Sequence, residues 1–354
     1  MSGPGRLLVV APHATRTGST RVLLDLLRAA APDLGCDLAV HLEAGGALGP
    51  ELQGLGPRLR PGERPAAVLV NSVLAASVLV EEPWGVPSAV YLHESAQTLA
   101  IVSEAARAGL AAADVVVCVS EHGREAAIGV GVTPSRIVLL PPVVAEPAPP
   151  APDSVAAVRR QLGLAPGDRL VLGCGEVEPR KGADLFVALA GACAAEPDLH
   201  LAWIGRRLPP YAERFDHDVA ALGLRSRVTW VGEVADASCW FAAAAVVVMP
   251  SRSDPLPLVP LEAALVGAPT AAFAVDGLRT LGDAGAVAVA PFPDVPALAA
   301  EVRRLAASPE AGRPLVAAAA AWARDRQSPT VVVPRFLEIL RSLLEPARTA
   351  GGPR

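Results

Sequence analysis

The sequence predicts an α/β protein built as two doubly wound domains. Three observations lead there. Short apolar runs of strand length alternate with longer amphipathic stretches along the whole chain. The alternation stops once, in the proline-rich run PPVVAEPAPPAPD from Pro141 to Asp153, and then restarts. The composition is 52% hydrophobic but only 4% aromatic. Such a mixture of Ala, Val and Leu suits parallel sheets wrapped by alanine-rich helices better than an all-β barrel. The length of 354 residues agrees with two domains, at roughly 100–200 residues each.

In the first half, Arg6–Ala11, Asp37–Leu42, Ala66–Asn71, Ser88–Leu92, Asp114–Ser120 and Arg136–Leu140 read as strands. Each is a compact Val/Leu/Ala run bounded by polar or turn residues. Helical spacing follows at Ser19–Ala31, Ser95–Ala113 and Glu121–Gly129. The Pro141–Asp153 run cannot continue a helix or a central strand, so it reads as a semi-rigid linker. In the second half the expected strands are Arg169–Gly175, Leu199–Ile204, Arg227–Val231, Val246–Pro250, Thr270–Phe273 and Ala286–Ala290. The expected helices are Gly182–Ala195, Tyr211–Leu222, Ala237–Ala244, Val259–Val266 and Val295–Ala307, then Glu310–Arg326 and Val331–Leu344. The expected division is a first domain at 1–142, a linker at 143–153, a second domain at 154–328, and a crossover helix and tail at 329–354. The tail from Ala347 to Arg354 is expected to be disordered.

Charge and cysteine usage narrow the function. A net charge of −5 argues against a nucleic-acid binder, which carries a basic stripe. The five cysteines are scattered, with no CxxC pair and no zinc-ligand spacing. The N-terminal apolar stretch, Leu7 to Val10, is only strand-length. Together these features read as a cytoplasmic protein with reduced thiols and at most weak peripheral membrane contact.

Four segments could carry chemistry. The first runs from Val246 to Phe273, where a buried strand leads through a two-proline loop into a helix near Val259. Helix starts leave N–H groups unpaired and carry partial positive charge, so this is a phosphate seat, with the amides of Leu258 and Val259 as donors. Asp254 in the loop and Glu262 one turn into the helix could accept hydrogen bonds from vicinal hydroxyls. The plain alternative is a turn cap and a solvated helix residue. The second segment, VLGCGEVEPRKG, places Gly175 and Glu176 after a strand and Arg180 and Lys181 at a helix start. Cations oppose the helix dipole there and make sense if an anion joins them. Lys181 is the only lysine in the chain, which sharpens the case against an incidental surface charge. The third is a loop holding Gly18 before a helix; GxGxxG is absent, and a lone glycine is most simply a turn. The fourth is VYLHES, in which His93 ends a strand.

Taken in this order, the four segments resemble glycosyltransferase family 4. Asp254, Glu262, Ala263, Gly267 and Pro269 match the family's paired-acid motif, with aspartate where glutamate is usual. The SDPLPLVPLEA form looks like a bacterial variant of it. The resemblance implies a GT-B fold: two Rossmann-like α/β/α domains facing each other across a cleft, with the C-terminal helix packing back on the N-terminal domain. It implies a retaining, metal-independent hexosyltransferase without a cofactor. Sugar would move from a nucleotide-diphosphate donor to a small-molecule, lipid-linked or glycan acceptor bound by the first domain. Glu262 would bind ribose, Asp254 the donor sugar, and Lys181, Arg180, Leu258 and Val259 the diphosphate. Gly18 would let backbone approach the diphosphate, and His93 would face the sugar. Gly232 and Glu233 would contact the base. Many members carry an arginine where this chain has Glu176, an acid that would repel a diphosphate unless it points away or binds the donor's sugar or base. That departure keeps open a weakly catalytic nucleotide-sugar-binding partner subunit; a GT-B epimerase is the other alternative.

Overall fold

The computed structural model describes residues 5–345, so the expected disordered tail from Ala347 lies outside the described residues. The chain divides into two units. One runs to Val143 and resumes at Arg326; the other is Val144–Asp325.

The first unit holds a six-stranded sheet of β1 (Leu7–Ala11), β2 (Leu38–Leu42), β3 (Ala67–Asn71), β4 (Ser88–Leu92), β5 (Val115–Cys118) and β6 (Ile137–Leu139). The order is β2-β1-β3-β4-β5-β6, parallel throughout. Every residue of β1, β3 and β4 is buried. Unbroken apolar runs are what a parallel sheet covered on both faces requires. The C-terminal helix Pro329–Leu344 belongs to this unit and packs on the helix Gly18–Ala30. Its Arg335 donates to the Leu139 carbonyl at 2.7 Å, and its Arg341 donates to the Asp33 carbonyl.

The second unit repeats the plan with β7 (Arg169–Cys174), β8 (Leu199–Ile204), β9 (Val228–Gly232), β10 (Val246–Met249), β11 (Thr270–Phe273) and β12 (Ala288–Ala290). Its order is β12-β11-β10-β7-β8-β9, again parallel. Three of the chain's few aromatics fill one side of this sheet. Phe186 meets the Trp203 ring edge-on at 5.0 Å, and Trp230 sits 6.2 Å from both. Such offset arrangements suit the ring quadrupoles.

Four sequence expectations need correction. The helix expected over Ser95–Ala113 is two, Ala96–Ile101 and Glu104–Ala112. The chain turns extended at Val102, and the Ser103 hydroxyl caps the second helix by accepting from the Ala106 N–H at 3.1 Å. The linker expected at 143–153 ends in a helix, Pro152–Gln161, which Pro152 starts. Proline suits that first position because its missing N–H is one the helix would leave unpaired. The helix expected to reach Arg326 leaves α geometry after Trp322 and passes through a π turn, Ala323–Gln327. A helix not expected at all, Asp276–Asp283, follows β11.

Gly173 in β7 is a packing constraint that the second unit cannot relax. A Cβ there would fall 2.2 Å from the Trp203 ring, and that ring is anchored by its N–H donating to the Gly175 carbonyl at 2.8 Å. Gly173→Ala is therefore expected to destabilise the protein by about 1–3 kcal/mol through overpacking. A melting temperature equal to that of the wild type in thermal denaturation would contradict this.

Candidate functional site

A doubly wound sheet opens a crevice where the strand order reverses, beyond the carboxyl ends of the two strands that part there. In the second unit these strands are β7 and β10: the chain moves from β7 to β8 and β9 on one side, and β10 to β12 lie on the other. The loops after β7 and β10 contain Gly175, Glu176, Arg180, Lys181, Asp254 and Leu258, and Val259 starts the helix that follows the second loop.

These loops are laced together. Lys181 Nζ meets Asp254 Oδ2 at 2.5 Å, and both side chains are largely buried, at 18% and 8% exposure. Arg252 grips Asp184 with two guanidinium nitrogens at 2.8 and 2.7 Å and donates to the Pro179 carbonyl at 2.6 Å. Its backbone N–H reaches the Arg180 carbonyl at 2.8 Å. Gly182 makes the approach possible: its φ is +77°, and a Cβ would fall 2.0 Å from the Pro250 carbonyl oxygen. On the far side, the Asp276 carboxylate accepts from the Ser253 hydroxyl at 2.5 Å and the Asp254 N–H at 2.9 Å.

Glu262 lies on the helix Val259–Leu265, on the side that the Cys174 thiol senses. Burial pushes that thiol up to about 12, Glu262 adds to the rise, and Lys181 opposes it. The same thiol is influenced by both the acid and the lysine. Leu258 precedes the first turn of that helix, and Val259 begins it. Gly232 closes β9, and Glu233 follows it.

Two site expectations change. The sequence suggested cations awaiting an external anion, but Lys181 is already paired with Asp254, and Arg180 lies 2.7 Å from Glu178. The chain supplies its own counter-charges, because a buried lysine without one would carry a heavy desolvation cost. Glu176, expected to repel a diphosphate unless it points away or binds the sugar or base, binds Arg206, whose Nε donates to Oε1 at 2.9 Å. Arg206 follows β8 and was not singled out from the sequence; an arginine pair after an apolar run, IGRRLPP, is the only signal there.

Gly18 and His93 belong to the other unit. Gly18 is the first residue of the helix after β1. His93 follows β4, with its Nε2 3.0 Å from Asn71 Oδ1 and its ring 4.2 Å from that of Tyr91. The adjoining Glu94 carboxylate accepts from the Ser72 hydroxyl at 2.5 Å, from the Val73 N–H at 3.3 Å and from the His93 N–H at 3.1 Å. Ser72 has a φ of +85°, unusual for a residue with a side chain. Asn71, Ser72 and Glu94 were missed because each is an ordinary polar residue in sequence; only the β3–β4 pairing makes them neighbours.

Comparison with known proteins places this geometry. Residues 168–308 match the family described as glycosyl transferases group 1. The matched segment contains both laced loops. The D-inositol 3-phosphate glycosyltransferase of Stackebrandtia nassauensis is 34% identical over 236 residues, covering 58% of this chain and 51% of that protein. The lipopolysaccharide core biosynthesis mannosyltransferase LpcC of Rhizobium leguminosarum bv. viciae is 34% identical over 174 residues, 43% of this chain and 47% of that one. The chain thus spans about half the length of the curated relatives it matches. Among solved structures, Anabaena HepE in complex with UDP and glucose aligns with a TM-score of 0.83 at 19% identity, over 96% of this chain and 100% of that one. WaaG, a glycosyltransferase involved in lipopolysaccharide biosynthesis, aligns with a TM-score of 0.75 at 17% identity, over 98% and 100%. The likeness at such identities is one of fold, and the two parallel six-stranded sheets are those of the GT-B class. Among the described residues, no group of three or more His, Cys, Asp or Glu could hold a metal ion, and no helix is long and apolar enough to cross a membrane.

Burial drives the His93 imidazole from its ordinary 6.5 down to about 3. Between those values the unfolded chain binds a proton that the folded chain refuses, so this group's share of stability falls as pH drops from 6.5 towards 3. Glu94 acts in the opposite sense: burial raises its pKa, so the fold holds a proton that the unfolded chain has lost, and stability declines as pH rises through that range. His93→Gln keeps a partner for Asn71 and removes only the first effect. Its unfolding free energy is expected to change less steeply with pH across the 6.5-to-3 window than that of the wild type. Denaturant titrations at a series of pH values measure this, and parallel curves would count against a buried neutral imidazole.

Proposed function

We propose that the protein is a retaining, metal-independent glycosyltransferase that moves a hexose from a nucleotide-diphosphate donor to a small-molecule, lipid-linked or glycan acceptor. The observation that carries this reading is the buried Lys181–Asp254 pair at the switch point of the second sheet, inside the segment that matches group 1 glycosyltransferases. The second unit is the donor-binding domain in this reading, and the first unit binds the acceptor. Fold neighbours that hold UDP and glucose or UDP-glucose lend support to a nucleotide-sugar donor. The five cysteines form no disulfide, consistent with a cytoplasmic setting.

The hard step is breaking the bond between the anomeric carbon and the phosphate oxygen. Negative charge grows on the leaving diphosphate. Lys181 stabilises that charge from a preformed position, helped by the unpaired amides of Leu258 and Val259. Arg180 adds a second cation on the same loop. Asp254, which already holds Lys181, accepts hydrogen bonds from donor-sugar hydroxyls, and Glu262 takes the ribose. Backbone groups around Gly232 and Glu233 hold the base. Gly18 lets backbone approach the diphosphate, and neutral His93 offers its ring to the sugar as a hydrogen-bonding group without charge. The acceptor attacks from the face the diphosphate leaves. Its proton passes to the departing phosphate oxygen, so no protein base is needed.

The reading of a non-catalytic binder drew its support from an acid facing the diphosphate. Glu176 is paired with Arg206, which offsets the acid's charge and weakens that ground.

Lys181→Gln keeps a hydrogen-bonding partner for Asp254 while deleting the charge. It is expected to lower sugar-transfer turnover about 100-fold, the scale seen when one preorganised donor to a developing anion is lost. Turnover of UDP-, GDP- and dTDP-hexoses, followed with and without candidate acceptors, gives the measurement, with circular dichroism as the check on folding. Near-wild-type turnover in a folded variant would remove Lys181 from the mechanism.

A further inference from the structure

The loops after β7 and β8 run side by side beyond the ends of their strands. The Gly175 N–H donates to the Ile204 carbonyl at 3.0 Å, and the Val177 N–H donates to the Arg206 carbonyl at 2.8 Å. Gly205 completes the approach, with a φ of +140°; a Cβ there would fall 1.8 Å from the Gly175 carbonyl oxygen. On its other side Gly175 faces the lysine stem, since a Cβ on Gly175 would lie 3.3 Å from Lys181 Cγ. The residues from Gly175 to Val177 therefore sit between Arg206 and Lys181, and the two cations flank one strand end.

The cations around this edge differ in how firmly they are held. Arg252 is committed to both oxygens of Asp184 and to a backbone carbonyl. Arg207, beside Arg206, is taken by Asp216 at 2.5 Å and by the Ala212 carbonyl. Arg206 is held differently. Its Nε and one terminal nitrogen both converge on a single oxygen, Glu176 Oε1. The side chain is 40% exposed, and its acid 23%. A guanidinium has five N–H donors, so this grip leaves donors to spare for a second anion.

We propose that Arg206 is a further cation for the donor diphosphate, beyond Lys181 and Arg180, held at the site by Glu176. This rests on the donor-binding reading of the second unit given above. Glu176 has two opposed effects. It fixes a long, flexible side chain in a useful place, which reduces the ordering cost of binding. It also adds a negative charge close to where the phosphates sit, which weakens their attraction. Glutamine at 176 separates these effects, because its carbonyl oxygen still accepts from Arg206 but carries no charge.

The test is isothermal titration of the full chain with UDP, GDP, dTDP and ADP, continued with whichever binds most tightly, for wild type, Arg206→Gln, Glu176→Gln and Lys181→Gln. Arg206→Gln is expected to weaken binding about tenfold, the scale of one charge-assisted hydrogen-bonding contact. Glu176→Gln is expected to strengthen it, and neither change should alter binding of the parent nucleoside. A salt bridge that serves only the fold predicts a different pattern: both variants shift affinity the same way or not at all, alongside a common drop in melting temperature. That pattern overturns the proposal. If Arg206→Gln fails to fold, Arg206→Lys takes its place, with the same sign and a smaller loss. Weakening by Lys181→Gln with no effect at Arg206 would refute this inference and leave the donor-binding reading standing. A wild-type chain that binds none of the four nucleoside diphosphates would refute both.

Discussion

The second unit is organised around the contact between Lys181 and Asp254. A lysine and a carboxylate withdrawn together from water cost more to desolvate than their attraction usually returns, so such pairs are poor devices for stability. The surrounding structure makes sense as what holds this one in place. Arg252 ties the lysine's loop to the aspartate's loop through Asp184 and two backbone carbonyls. Asp276 fixes the aspartate's backbone from the other side, and the Gly277 N–H donates to the Asp254 carbonyl at 3.0 Å. Removing either charge would strand the other in a poorly solvated place. The pair therefore constrains the loops, and the loops constrain what can enter.

Much of this was legible from the residues. The strands announced themselves as Val/Leu/Ala runs, and three of them, Ser88–Leu92, Leu199–Ile204 and Thr270–Phe273, have the bounds the sequence suggested. Lys181 stood out because no other lysine exists to dilute it. The helix Asp276–Asp283 contains two glycines, Gly277 and Gly282, which are poor helix formers. Both are there for space: a Cβ on Gly277 would fall 2.4 Å from the Pro255 carbonyl oxygen, and one on Gly282 would fall 2.7 Å from Val289. Glycine tells a reader that something is close without saying what.

Partners across strands were the larger gap. Glu176 and Arg206 are separated by thirty positions, as are many unrelated pairs. What joins them is that β8 lies next to β7, and strand order is a property of the finished sheet. The same holds for Asn71 and His93, brought together by β3 and β4. Local sequence reports which residues end a strand at the carboxyl edge. It does not report which strand ends are adjacent, and in a doubly wound fold adjacency decides which charges cancel.

The carboxyl edges of the two sheets have different chemical characters, and the difference bears on the division of labour proposed above. The edge of the second sheet is lined by full charges in pairs: Lys181 with Asp254, Arg206 with Glu176, Arg252 with Asp184. Groups of that kind respond to a multiply charged ligand. At the first sheet, burial holds His93 neutral and raises the Glu94 pKa, so both groups are biased towards their uncharged forms. Their neighbours Asn71 and Ser72 are neutral hydrogen-bonding groups. Neutral hydrogen-bonding groups of this kind suit uncharged hydroxyls better than a multiply charged phosphate. In the proposed reading, the edge of paired charges serves the diphosphate and the edge of neutral donors and acceptors serves sugar hydroxyls. Each follows from how its sheet buries, or leaves open, the residues at its strand ends.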